Sequence, residues 1–95
     1  MNIGKAIKEI RKEKRFSQQE LSAQAGITQA ALSAIENGAR PNPETLTNLC
    51  KVLKVPESLV YVLGMEKTDV PVEKQIIYDE LFPVIASLVM KVAGA

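Results

Sequence analysis

FSQQELSAQAGITQAALSAIENG, residues 16–38, contains one helix-capping pattern twice at close range. Phe16 precedes Ser17, and Glu20 follows Ser17 by three residues. That is a capping box: the serine hydroxyl and the glutamate each satisfy a backbone N–H that the helix itself leaves free, and Leu21 is spaced to staple back onto Phe16. Gly26 supplies the left-handed residue that closes this first helix. The pattern then repeats. Ile27 precedes Thr28, Leu32 stands at the staple position, and Gly38 closes the second helix after Asn37. Two helices of about two to three turns, joined by a turn of about four residues, form a helix-turn-helix. Such a unit can lay its second helix in the major groove of DNA. Caps alone are equally compatible with a plain helical hairpin inside an all-α domain.

The sequence on either side extends the helical reading. Over residues 3–14, Ile3, Ala6, Ile7 and Ile10 form one apolar stripe, with Lys5, Lys8, Lys12 and Arg15 largely off it. Arg11 falls four residues after Ile7, at the edge of the buried stripe. An unpaired charge near a core is costly, so Arg11 requires a partner. After the segment Ala39–Pro41, Asn42 reads as an N-cap and Pro43 as the first helical residue. The fourth helix runs to about Leu53 and buries Leu46, Leu49, Cys50 and Leu53. A short fifth helix follows Val55-Pro56, with Leu59, Val60 and Leu63 inward and Gly64 as its stop.

These five helices predict a compact all-α domain over residues 1–64 that contains the helix-turn-helix. Residues 65–71, MEKTDVP, read as a linker. Residues 72–95 read as a C-terminal helical segment in which Pro83 either kinks one helix or starts another. Between Val84 and Ala93 only Ser87 and Lys91 are polar, too narrow a polar face for a lone surface helix. Leu81, Val84, Ile85, Leu88, Val89 and Val92 are the expected dimer interface, extended by Ile76 and Ile77. A different reading of this tail is a binding segment for a protein partner, as in an antitoxin.

Composition narrows the function classes. The chain is 46% hydrophobic, with two Tyr, two Phe and no Trp, so its core must be aliphatic. It has no His and one Cys, which rules out a His/Cys zinc site and an internal disulfide. Cys50 lies on an apolar helical stripe and reads as a buried structural thiol. No cofactor is expected. There is no glycine-rich phosphate loop and no nucleophile beside a base, so no catalytic residue is assigned. The adjacent carboxylates Asp79 and Glu80 point ~100° apart on a helix and read as a solvated face. No signal peptide or stretch of ~18–20 apolar residues is present, which predicts a cytoplasmic protein. The net charge of +1 conceals an asymmetry. Residues 1–64 carry nine Lys or Arg against six Asp or Glu, and residues 65–95 carry three against five. The helix-turn-helix therefore lies in the basic part, as a polyanionic partner such as double-stranded DNA would require.

The stretch SQQELSAQAGITQAALSAIENGARPNPETLTNLCKVLKVPESLVYVLG resembles the phage-repressor, or Xre/Cro-like, helix-turn-helix family. The shared frame is S-Q-x-E-L-A-x-x-x-G-[IV]-[TS]-x-x-x-[IL]-S-x-[IL]-E-N-G, followed by R-x-P and T-L-x-x-[LI]-[AC]-x-x-L-x-V, and the likeness covers residues 3–64. Ser22 and Cys50 stand at usual Ala positions. The resemblance implies a five-helix, repressor-like fold and a sequence-specific transcriptional regulator. Residues 65–95 match no part of the frame. With the apolar tail as dimer element, the expectation is a repressor acting on a palindromic operator as a homodimer. The resemblance also implies a structural ion pair between Arg11 and Glu36, and phosphate contacts from Gln18, Thr28, Asn37 and Arg40. With Leu32 and Ile35 facing the core, Ala30, Ser33, Ala34 and Asn37 point outward and Gln29 flanks them. In the family the first residues of this helix touch base edges, so the resemblance makes Gln29, Ala30, Ser33 and Ala34 the expected base-contacting residues. Gln29 is suited to bidentate bonding of adenine. The two alanines either meet a thymine methyl or serve helix propensity alone.

Overall fold

The computed structural model describes residues 1–94, so Ala95, the last residue of the expected C-terminal segment, lies outside the described residues. Helix α1 (Ile3–Glu13) starts at Asn2, whose side-chain oxygen accepts the Lys5 N–H at 3.0 Å. Ile3, Ala6, Ile7 and Ile10 are buried as their spacing requires. Helix α2 (Gln18–Ala25) carries the complete capping box. Ser17 Oγ accepts the Glu20 N–H, and Glu20 Oε1 accepts the Ser17 N–H, each at 3.0 Å. Gly26 ends it in the left-handed region at φ 75°. Helix α3 (Gln29–Glu36) begins at Thr28, whose hydroxyl accepts the Ala31 N–H at 3.0 Å. Helix α4 (Pro43–Leu53) follows the Asn42 cap, and α5 (Glu57–Leu63) follows Pro56. There is no strand among the described residues.

These five helices enclose an aliphatic core whose most deeply buried members are Ile7, Ile10, Leu21, Leu32, Leu49, Leu53 and Val60. Phe16 and Ile27, the two staple residues, pack against its margin. The way α1 supports α3 depends on one glycine. A Cβ added at Gly4 would lie 1.7 Å from the carbonyl oxygen of Ile35, so the two helices approach backbone to backbone. The end of α5 returns to the start of α1, where the Asn2 N–H donates to the Gly64 carbonyl at 2.7 Å.

Three features mark the C-terminal segment, and the second corrects the expected dimer interface. First, α6 (Gln75–Gly94) is one helix that continues through Pro83. The proline forfeits a single backbone bond, while packing against the rest of the protein holds the turns on either side. Second, Val89 is not part of an exposed face: it is 8% exposed and belongs to the common core with Ala93. Ala86 and Met90 pack beside them, so α6 lies on α1 and α5. The five-helix unit therefore does not close on itself. Val89 and Ala93 cover apolar surface that it leaves open.

Third, residues 65–71, the expected linker, are fastened to α6. They contain a single 3₁₀ turn, Lys67–Asp69, and another, Val72–Lys74, leads into α6. Tyr78 donates its hydroxyl to the Met65 carbonyl at 2.9 Å, and Gln75 Nε2 donates to the Val70 carbonyl at 3.2 Å. Lys67 and Asp79 form an ion pair at 2.9 Å. Much of the rest of α6 is apolar and uncovered. Ile76, Ile77, Leu81, Val84, Ile85, Leu88 and Val92 are all exposed, from 41% at Ile85 to 72% at Ile76.

Candidate nucleic-acid interface

The outer surface of α3 follows from what its inner surface buries. Leu32, Ile35 and Glu36 turn inward, which leaves Gln29, Ala30, Ala34 and Asn37 exposed and Ser33 half-buried at the edge. All four residues expected to meet bases thus share one outward side of the helix. At the α3 N-terminus, Thr28 uses its hydroxyl on Ala31 and its carbonyl on Leu32. The N–H groups of Gln29 and Ala30 have no protein acceptor among the described residues, as the first turn of a helix dictates. The same arithmetic leaves Gln18 and Gln19 N–H free at the start of α2. Free N–H groups and the positive end of the helix dipole favour an anion such as phosphate.

At the far end of α3, Asn37 folds back onto its own helix. Its amide donates to the Ser33 carbonyl at 2.9 Å and approaches Ser33 Oγ at 3.5 Å. Two hydrogen bonds thus hold Ser33 and Asn37 as one polar unit. Arg40 is exposed just beyond the turn at Gly38, whose φ of 116° only glycine adopts easily.

A buried ionic network fixes α3 relative to α1 and α2. Arg11 Nε donates to Glu36 Oε2 at 2.7 Å, and Nη2 donates to Oε1 at 3.0 Å. The third guanidinium nitrogen, Nη1, donates to the Phe16 carbonyl at 2.8 Å. Both side chains are almost wholly buried, 9% and 2% exposed. Burial pushes the Glu36 carboxyl up. The hydrogen bonds from Arg11 and Gln18 and the positive charges of Arg11 and Lys8 outweigh it and hold the group below its ordinary 4.5. The network answers the demand for a partner that Arg11 raised in the sequence.

Gln18 was expected only at a phosphate, yet its side-chain amide donates to Glu36 Oε1 at 3.0 Å. One amide hydrogen and the backbone N–H remain for an anion. No signal in the sequence ties Gln18 to Glu36, because the two are eighteen residues apart. Gly4 was likewise not singled out. Its role depends on where the Ile35 carbonyl falls in space.

Residues 7–60 match the helix-turn-helix family. The chain belongs to the helix-turn-helix family. Among its relatives is the HTH-type transcriptional repressor RghR of Bacillus subtilis, 35% identical over 66 residues, which are 66% of this chain and 49% of that protein. Another is the HTH-type transcriptional regulator SinR of Bacillus licheniformis, 38% identical over 74 residues, 78% of this chain and 66% of that protein. The chain thus spans about half the length of the first relative. No solved structure gives a significant match. Both relatives are named as regulators of transcription. Cys50 is buried as its stripe position requires, and burial together with the Glu57 charge pushes its thiol up to about 11. No helix among the described residues is long and apolar enough to cross a membrane.

Proposed function

We propose that this helix-turn-helix protein is a sequence-specific DNA-binding repressor that lays α3 in the major groove and grips a palindromic operator as a homodimer. The supporting observation is the outward side of α3, where Gln29, Ala30, Ser33 and Ala34 lie together with free N–H groups at the helix start. Gln29 carries the longest of these four side chains and reads adenine. Ala30 and Ala34 admit a thymine methyl, and Ser33 reaches a groove edge or a phosphate. Gln18, Thr28, Asn37 and Arg40 position the helix on the sugar-phosphate backbone, which sets register rather than sequence. With only one long polar reader, direct readout is modest and DNA shape supplies part of the preference.

The dimer reading rests on exposed apolar side chains. Leu81, Val84, Ile85, Leu88 and Val92 of the expected interface remain uncovered in the single chain, and full burial of each such side chain is worth about 1.5–3 kcal/mol. A protein partner on the same surface is the competing reading. Selection of bound sites from random duplex DNA with the full chain tests the proposal, and a palindromic winner is expected. A selected pool with no preference over bulk DNA at low salt would refute it.

A further inference from the structure

We propose that two copies of α6 pair antiparallel, with Glu80 of each copy opposite Lys91 of the other. The inference rests on the dimer reading above and adds its geometry. At about 100° per residue, Ile77, Leu81, Val84 and Leu88 form one narrow stripe, turned roughly 130° around α6 from Val89 and Ala93. Ile85 and Val92 flank the stripe on one edge. Glu80 and Lys91, both exposed, flank it on the other. Stripe and flank together have a centre of symmetry. Ile77 and Val92, Leu81 and Leu88, and Val84 and Ile85 are all equidistant from a point between residues 84 and 85.

A twofold axis at that level sets the six apolar residues of one helix against those of the other, with the helices antiparallel. In that arrangement like edges meet. The edge holding Glu80 of one copy lies along the edge holding Lys91 of the second, and the pairing occurs twice. The opposite edge is also complementary. A groove of about 260 Å³ lined by Val62, Met65, Val70, Ile77, Leu81 and Ile85 opens there. The antiparallel register carries Val92 of the second copy to the level of Ile77, over this groove. A parallel pairing would set each Glu80 level with the other and against the apolar edge, leaving Lys91 without an acid.

Charge exchange tests the register. The experiment uses full-length chains carrying Glu80→Lys or Lys91→Glu, measured by sedimentation alone and as an equimolar mixture. Each substitution alone places like charges together twice, and association should weaken by at least about fivefold. In the mixture every pair is opposite in sign, so the heterodimer should form about as tightly as the parent dimer and loosen with salt. Both side chains are exposed, so circular dichroism of each variant should match the parent. If the parent is a dimer but the single variants associate as tightly, or the mixture gains nothing, the antiparallel register is wrong while the dimer stands. A parent that sediments as a monomer at micromolar concentration overturns both.

Discussion

Arg11→Ala should destabilise the domain without changing which bases it prefers. The substitution deletes both hydrogen bonds to Glu36 and the one to the Phe16 carbonyl. It leaves a carboxylate that is 2% exposed with only Gln18 as a direct partner. Removing one member of a buried pair costs about 3–5 kcal/mol, mostly from the orphaned charge. The lower end applies, because Gln18 and the field of Lys8 remain. For a domain of this size, about 3 kcal/mol corresponds to a melting point lower by roughly 12–24 °C.

The pH dependence identifies the cause. In the parent, the folded Glu36 pKa lies below its unfolded value. Its stabilisation is therefore present above about 4.5 and lost as pH falls through the folded value. In the variant, burial acts without the guanidinium and raises the folded value above the unfolded one. The cost is then full at neutral pH and relieved as the carboxyl gains a proton. Thermal melts by circular dichroism at pH 7 and at about pH 5 should show the gap between parent and variant narrowing on acidification. Other carboxylates are common to both chains and cancel in the difference. Equal melting points at pH 7, or a gap that stays constant with pH, would refute the assignment of a buried pair.

Gln29→Ala should relax base preference at one position per half-site by about 1–3 kcal/mol, visible as a flattened column in a selected-site profile. Arg40→Ala should weaken all sequences about equally and reduce the salt slope by about one. Gly4→Ala should lower stability by at least about 1–3 kcal/mol in denaturant titration, because a Cβ there meets the Ile35 backbone rather than a movable side chain. A variant with a parental midpoint would show that α1 and α3 can separate freely. Cys50, buried and with its thiol pushed up to about 11, should react with a thiol reagent at neutral pH only when denaturant unfolds the chain.

Legibility followed distance along the chain. Ser17 with Glu20, Thr28 with Ala31 and Asn42 with Thr45 are hydrogen bonds across three residues, so residue type at a fixed offset is enough to find them. The stripe of α1 and the buried positions of α3 and α4 follow from helical period alone, and they set the outward side of the candidate interface. The partner of Arg11 was legible at longer range only because a family frame supplied Glu36. Two positions without such a signal were open until the fold was known: Gly4 against Ile35, and Gln18 on Glu36.

Residues 75–94 mark the boundary most clearly. Composition determined that this segment is a helix too apolar to stand alone. It could not determine which side is covered, because an apolar residue on nearly every side leaves no polar face to orient it. The surface that α1 and α5 leave open made that choice. It drew Val89 and Ala93 into the core and left Leu81, Val84, Leu88 and Val92 outside. Burial depends on the shape of a neighbour assembled from distant parts of the chain, whereas caps and helical period are complete within one or two turns.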